Sequence, residues 1–456
     1  MIQIVFKKKN NFAYRKHFLS YFSEKIIFIL RSKCFPGLFV LILPFQLLFA
    51  QYDAPLYTSY TTVDARAKLY ERLTTYSIQK NLSVTLSDST EEKWEEAFEA
   101  IEVLLYKSPF SDRKIYKAFD EIETRSINFQ KALLEVAYTN YPIECMLQVK
   151  KLLSNTNDPK VFAMCAEYML QQKKSFLPPS EIGELIETKF GDEGIINPVL
   201  YMLQVHISEK NKTGIFLSKN LLRELFGKKF LPGEIIMYSI QRKNRDHPGL
   251  LIVRQKDGTY ITDSSGVIFN VPQLARSITN LPFYLANGNT PQGIFLMYGF
   301  GVSMSSFIGP TANIQLSIPV ETSMQNFFRD SSICDTLWNI DYYKKMIPAG
   351  LKNYLPLYYS YYAGLAGRTE IIAHGTTIDP GLYKNQPYFP LTPSQGCLST
   401  KEIWNGKRLE SDQQKLVNAL LKAGGANGYC VVIELDDKQS AVTLKDVLPF
   451  LISNEH

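Results

Sequence analysis

Along the first half of the chain, large apolar residues recur every three or four positions. Trp94, Phe98, Ile101 and Leu105 fall on one helical face, as do Ile115, Phe119 and Ile122, and then Phe129, Leu133 and Val136. Ile143, Met146, Val149 and Leu153 continue the stripe after Pro142, and Val161, Met164, Cys165 and Tyr168 repeat it. Ser89 with Glu92 reads as a capping box, and Asp158-Pro159 as an N-cap with proline at the first helical position. A helix is also expected over residues 63–75, and shorter ones over 181–190, 198–206 and 218–226. Successive helices joined by short turns predict a small α-solenoid of HEAT-like character, or an irregular bundle, over residues 89–230.

After Leu231-Pro232-Gly233 the period changes. Residues 235–240, 250–254, 259–262, 267–269, 291–298, 314–318, 370–373 and 429–435 are short and β-compatible. Lys256-Asp257-Gly258 between two of them is a hairpin signal. The expected class is α+β: an all-α N-terminal part, then a mostly-β domain over 233–436 with helical insertions, and a C-terminal tail over 437–456. The insertion at 321–367 is rich in Phe, Trp and Tyr. Two readings stand for it, a cap stacking over a site or a small helical core of its own.

Charge changes the picture at the N-terminus. Residues 1–50 hold eight Lys/Arg and one Glu, and the remainder is one unit negative. A near-neutral body has no overall electrostatic footprint for nucleic acid. Residues 35–50 form an uncharged apolar run, FPGLFVLILPFQLLFA, behind Arg31 and Lys33. It is short for a membrane span and holds two prolines, so 1–50 reads as a cleaved export signal or an N-terminal anchor. The long basic stretch ahead of the run suggests that the signal proper begins later, near Leu30. Residues 51–88 read as a lead-in segment. Export gives a periplasmic or envelope location, with no stable span after cleavage.

The candidate chemistry lies at 368–404. A strand carries His374 onto Gly375, a proline-punctuated loop follows, and Ser394-Gln395-Gly396-Cys397 closes it ahead of an expected helix from Ser399. A thiol needs an imidazole to take its proton, and a glycine beside it lets backbone N–H groups approach an oxyanion. Of the five cysteines beyond the leader, Cys145 with Cys165 and Cys334 with Cys430 are arithmetically pairable as disulfides, leaving Cys397 free. No His or Cys spacing reads as a metal site, and no cofactor is expected.

These residues resemble the L,D-transpeptidase catalytic domain family, whose pattern is His-Gly-Thr, a loop, then Ser/Thr-His-Gly-Cys. His374-Gly375-Thr376 and Ser394-x-Gly396-Cys397 fit, and Thr290-Pro291-Gln292-Gly293-Ile294-Phe295 is similar to the family's Thr-Pro-x-Gly-x-Phe. The chain departs at Gln395, where the family has His, at Leu398-Ser399, and in a 19-residue loop between His374 and Ser394. The resemblance spans roughly residues 233–436. It implies Cys397 as nucleophile, His374 as general base and acid, Gly396 as the oxyanion backbone, the Gly375 carbonyl orienting the imidazole, and Ser394 supporting the site. Arg368, Thr376 and Gln395 are expected to meet the substrate, a peptidoglycan stem peptide. Resolution of the thioester by water instead of an amine would make a hydrolase. A wall-binding scaffold without catalysis is the reading from another class, with a protein partner on the helical part.

Overall fold

In the computed structural model, residues 61–171, 177–209, 216–376, 378–405 and 408–451 are described. The expected signal segment and the start of the lead-in lie outside them. Among the described residues no helix is long and apolar enough to cross a membrane.

The apolar stripes become helices whose starts are set by short polar caps. α1 (Val63–Arg72) runs on into a π-helical turn, and α2 (Glu91–Leu104), α3 (Pro109–Asp120) and α4 (Ile127–Asn140) follow. The capping box ahead of α2 is Ser87 with Thr90, not Ser89 with Glu92, because residues 88–90 are spent on a 3-10 turn. Ser108, Ser126 and Asp158 cap α3, α4 and α6 (Pro159–Leu170) by accepting first-turn N–H groups, and α5 (Met146–Asn155) lies between the last two. Trp94, Phe98 and Ile101 are buried as the period requires, and Phe98 meets Phe129 of α4 edge to face at 5.2 Å. α7 (Pro179–Phe190) and α8 (Pro198–Glu209) complete the helical layer, whereas α9 (Lys219–Phe226) buries Leu222, Leu225 and Phe226 with strand residues such as Ile236 and Tyr238.

The second half is a nine-stranded mixed sheet in the order β3-β2-β1-β9-β4-β5-β6-β7-β8. Its strands are β1 (Ile235–Arg242), β2 (Gly249–Arg254), β3 (Val271–Gln273), β4 (Gly293–Gly301), β5 (Asn313–Ser317), β6 (Ala373–Thr376), β7 (Leu398–Asn405), β8 (Arg408–Ser411) and β9 (Asn427–Asp436). β1 and β2 are buried along their full length, so they read as continuous apolar runs rather than alternating ones. The sheet curls on itself: Leu274, just after β3, exchanges two 2.8 Å backbone hydrogen bonds with Ser399 of β7. Inside the curl, Met237, Leu251, Phe295, Leu316 and Leu398 pack with Leu416 and Leu420 of α13 (Asp412–Ala423).

Several expectations are corrected. The chain after Ser399 is a strand, β7, because its backbone completes a parallel ladder with β6. The segments 259–262 and 267–269 contribute isolated bridges rather than strands. The supposed tail holds α14 (Leu444–Leu451), whose Val447 is fully buried against the outer face of the sheet. The aromatic insertion, with α10 (Met324–Phe328), α11 (Ile340–Met346) and α12 (Tyr359–Leu365), packs Phe327, Tyr343 and Tyr358 onto that same face. Its rings therefore build a core. All five described cysteines are free thiols, so neither disulfide forms.

The helical layer and the sheet share a core. Leu281, Tyr284, Leu285 and Tyr359 from the second half are buried in the same apolar cluster as Phe98, Phe162 and Leu200.

Candidate active site

The parallel ladder between β6 and β7 places the chemistry. His374 pairs with Ser399, and Cys397 stands two residues earlier on the same line. Cys397 itself lies in the bend just ahead of β7, whose first residue Leu398 donates its N–H to the Ile372 carbonyl at 3.0 Å, so the thiol is delivered beside the start of β6. The chain between His374 and Cys397, 19 residues of loop and the Ser394 turn, is long enough for a parallel connection to double back without a long helix.

His374 is buried, and its Nδ1 lies 2.9 Å from the carbonyl oxygen of Gly375. A carbonyl only accepts, so the proton is on Nδ1 and the lone pair on Nε2. The Gly375 carbonyl also accepts the Gly309 N–H at 2.6 Å, which fixes its direction. A Cβ at Gly375 would fall 2.2 Å from Glu402 Oε2 and 2.5 Å from its Cγ, so any other residue there would displace the Glu402 side chain. Burial lowers the His374 pKa, and the Gly375 carbonyl partly opposes this.

The Cys397 thiol is held by the segment ahead of β6. It donates to the Glu370 carbonyl at 3.6 Å, and its sulfur accepts from the Ile372 N–H at 3.5 Å. Burial pushes the thiol up to about 11; the Ile372 N–H and the Arg368 charge pull it down, while Glu370 and Glu321 push it further up. With the imidazole lowered and the thiol raised, the pair rests neutral near pH 7 rather than as an ion pair. No hydrogen bond joins the two side chains in this state; such contacts tighten when substrate binds.

Glu321 is a residue that sequence reasoning assigned only to the insertion. Its two carboxylate oxygens accept the Glu370 N–H at 2.7 Å and the Ile318 N–H at 3.0 Å. Glu370 is in the left-handed region, φ +61°. Glu321 thus holds the strained residue whose carbonyl receives the thiol. No local pattern marks it, because the donor that matters to the thiol, the Glu370 N–H, is 49 residues away.

The turn before Cys397 is tightly built. Ser394 Oγ donates to the Cys397 carbonyl at 2.8 Å and accepts the Gly396 N–H at 3.3 Å. Thr290, from the Thr-Pro-x-Gly-x-Phe stretch, donates to the Gly396 carbonyl at 2.9 Å. The Gly396 N–H is therefore occupied, and the amide beside the thiol without an acceptor among the described residues is that of Cys397 itself. It is the better placed oxyanion donor.

Arg368, Thr376 and Gln395, expected to meet substrate, are engaged within the protein. Arg368 is buried and spends its fork on the carbonyls of Phe283, Asn289 and Gly288 at 2.5, 2.7 and 3.0 Å. A buried guanidinium needs such acceptors, so it braces the wall behind Gly396. The Thr376 hydroxyl donates to the Phe307 carbonyl at 3.3 Å. Gln395, where the family has His, donates to Glu99 of α2 at 3.2 Å. The loop between His and Cys is gripped from the same helix, since the Tyr383 hydroxyl donates to the Val103 carbonyl at 3.0 Å.

Among the described residues no cluster of His, Cys, Asp or Glu has the arrangement to hold a metal ion. No protein-family profile, characterised protein or solved structure matches the chain.

Proposed function

We propose that the protein is a peptidoglycan L,D-transpeptidase working through Cys397 and His374. The observation that supports the reading is the β6–β7 pairing: it brings the bend holding Cys397 to the strand that carries His374, where the Cys397 amide has no acceptor among the described residues and the His374 Nδ1 is already committed. His374 Nε2 takes the thiol proton as sulfur attacks the carbonyl carbon on the L-centre side of a stem peptide. The Cys397 N–H faces the developing oxyanion. The C–N bond then breaks, His374 returns the proton to the leaving amino group, and a thioester remains. An amine of a second stem attacks it, its proton passes to His374, and the thiol is restored. No ATP is needed, because the energy of the broken amide is kept in the thioester.

The finer architecture goes with this reading. The β-rich part is a transpeptidase-type catalytic domain, and the helical layer, of solenoid or irregular-bundle type, is its scaffold. Glu99 and Val103 support that role, since α2 holds the catalytic loop. Export to the envelope and the wall as partner follow from the same proposal.

The test incubates the purified protein with tetrapeptide stem fragments and reads products by mass spectrometry, with folded Cys397→Ala alongside. Cross-linked dimers short of one terminal D-amino acid, absent with Cys397→Ala, are expected. Trimmed monomers alone would move the assignment to a hydrolase. Retained turnover in Cys397→Ala would end it.

A further inference from the structure

A cavity of about 720 Å³ lies between the helical layer and the sheet, and neither Cys397 nor His374 lines it. That volume is in the range of small-molecule sites. Its charged groups are paired with the protein. Arg245 meets Glu434 at 2.9 Å, Arg276 meets Asp246 at 2.6 Å, and His206 meets Glu167 at 2.5 Å. The Tyr359 hydroxyl takes up an oxygen of Glu209 at 3.1 Å. Lys243 also lines the cavity; it is exposed and makes no salt bridge among the described residues, and its charge favours the ionised form of Glu434. A charged ligand that engaged Arg245, Arg276 or Glu167 would have to break a pair and be desolvated.

What the cavity does offer is neutral donors. Tyr388 is only 1% exposed, yet its hydroxyl has no hydrogen-bond partner among the described residues and is not sealed off in the interior. Tyr138 presents its hydroxyl in the same unpartnered state. Gln292 is 3% exposed and uses its Oε1 on the Glu434 N–H at 2.9 Å, while its amide nitrogen has no acceptor. All three line the cavity, among the rings of Phe283, Tyr284 and Tyr359. Donors of this kind, reachable from the cavity, are free to meet the acceptors of an occupant.

We propose that this cavity is a saccharide-binding site. A sugar ring supplies hydroxyl and ether acceptors to Tyr138, Tyr388 and Gln292, and lays its apolar C–H face against the aromatic walls. It carries no charge to compete with the paired ions. Thr290 lines the same cavity while holding the Gly396 carbonyl, so an occupant sits one residue layer behind the nucleophile turn. Choosing an N-acetylated amino sugar within the class rests on the transpeptidase reading, since that substrate hangs its peptides from such a glycan.

Calorimetry with the Cys397→Ala protein separates binding from turnover. The probes are a β-1,4-linked N-acetylglucosamine trimer, maltotriose and a free stem tetrapeptide. Saturable binding of the amino-sugar trimer is expected, with Kd on the order of 1 mM or tighter. Tyr388→Phe and Tyr138→Phe each remove one hydroxyl and leave the ring, and together they should weaken it about tenfold, or ~1.4 kcal/mol. Binding of maltotriose alone, with the same loss in the variants, would keep the saccharide site and count against the amino sugar. Absence of saccharide binding to folded protein, binding indifferent to both variants, or binding of the tetrapeptide alone in competition with nothing, would overturn the proposal.

Discussion

Replacing Gly396 by alanine tests whether the turn before Cys397 is set by close approach as well as by backbone conformation. Its φ is +112°, and an added Cβ would fall 2.3 Å from Arg368 Nη2 and 2.6 Å from the Gly288 carbonyl oxygen. The backbone term is about 1–3 kcal/mol. Overpacking against a buried guanidinium that already holds three carbonyls adds about 1–3 kcal/mol. Gly425 separates the two terms: its φ is +108°, and nothing lies within 4 Å of its would-be Cβ. Gly425→Ala should show the backbone term alone, and Gly396→Ala should exceed it by the packing term. Urea unfolding gives both, through the midpoint at constant slope. Because the turn also sets the thiol, Gly396→Ala should lower the cysteine-dependent activity by roughly 100-fold, the cost of an ångström-scale misplacement. Equal stability losses in the two variants, with unchanged activity, would refute the packing argument.

The remaining predictions concern protons and the thiol cradle. Alkylation of Cys397 by iodoacetamide should rise steadily with pH toward its pKa of about 11, with no plateau between pH 6 and 8; such a plateau would mean a resting thiolate–imidazolium pair. Glu321→Gln keeps an acceptor for the Glu370 N–H but removes a charge that opposes the thiolate, so alkylation at fixed pH should speed up, whereas Glu321→Ala should leave two N–H groups bare and cost ~2–4 kcal/mol. A shared response of the two variants would show that Glu321 acts by charge or by scaffold alone. Burial raises the Glu402 carboxyl to about 7, so between its ordinary 4.5 and 7 the native state binds more protons than the unfolded state. Stability contributed by this group is therefore present near pH 4.5 and lost as pH rises through 7, by up to ~3 kcal/mol, and Glu402→Gln should flatten that part of the pH–stability curve.

Helix positions in the first half were legible because one buried face obeys a local period, and caps such as Asp158 reach only two and three residues ahead. Strands β1, β4 and β9 were legible as apolar runs. Residues 398–405 were not, since Leu398 to Asn405 become a strand through pairing with a partner delivered from a distant part of the chain. The same limit explains the aromatic insertion, whose composition fits either a cap or a core until the sheet face it covers is known.

The sequence by itself determined the alternation of helical and strand segments and the order of His374, Gly375, Gly396 and Cys397, because periodicity and turn chemistry are local. The tertiary structure decided the rest. It closed the sheet through Leu274 and Ser399, set the thiol against Glu370 and Ile372, and turned Arg368 and Gln395 inward. It also tied the loop between His374 and Cys397 to α2 through Glu99 and Val103, contacts separated by 296 and 280 residues. Burial makes each polar group find a partner, and which partner is within reach is fixed only when the layers meet.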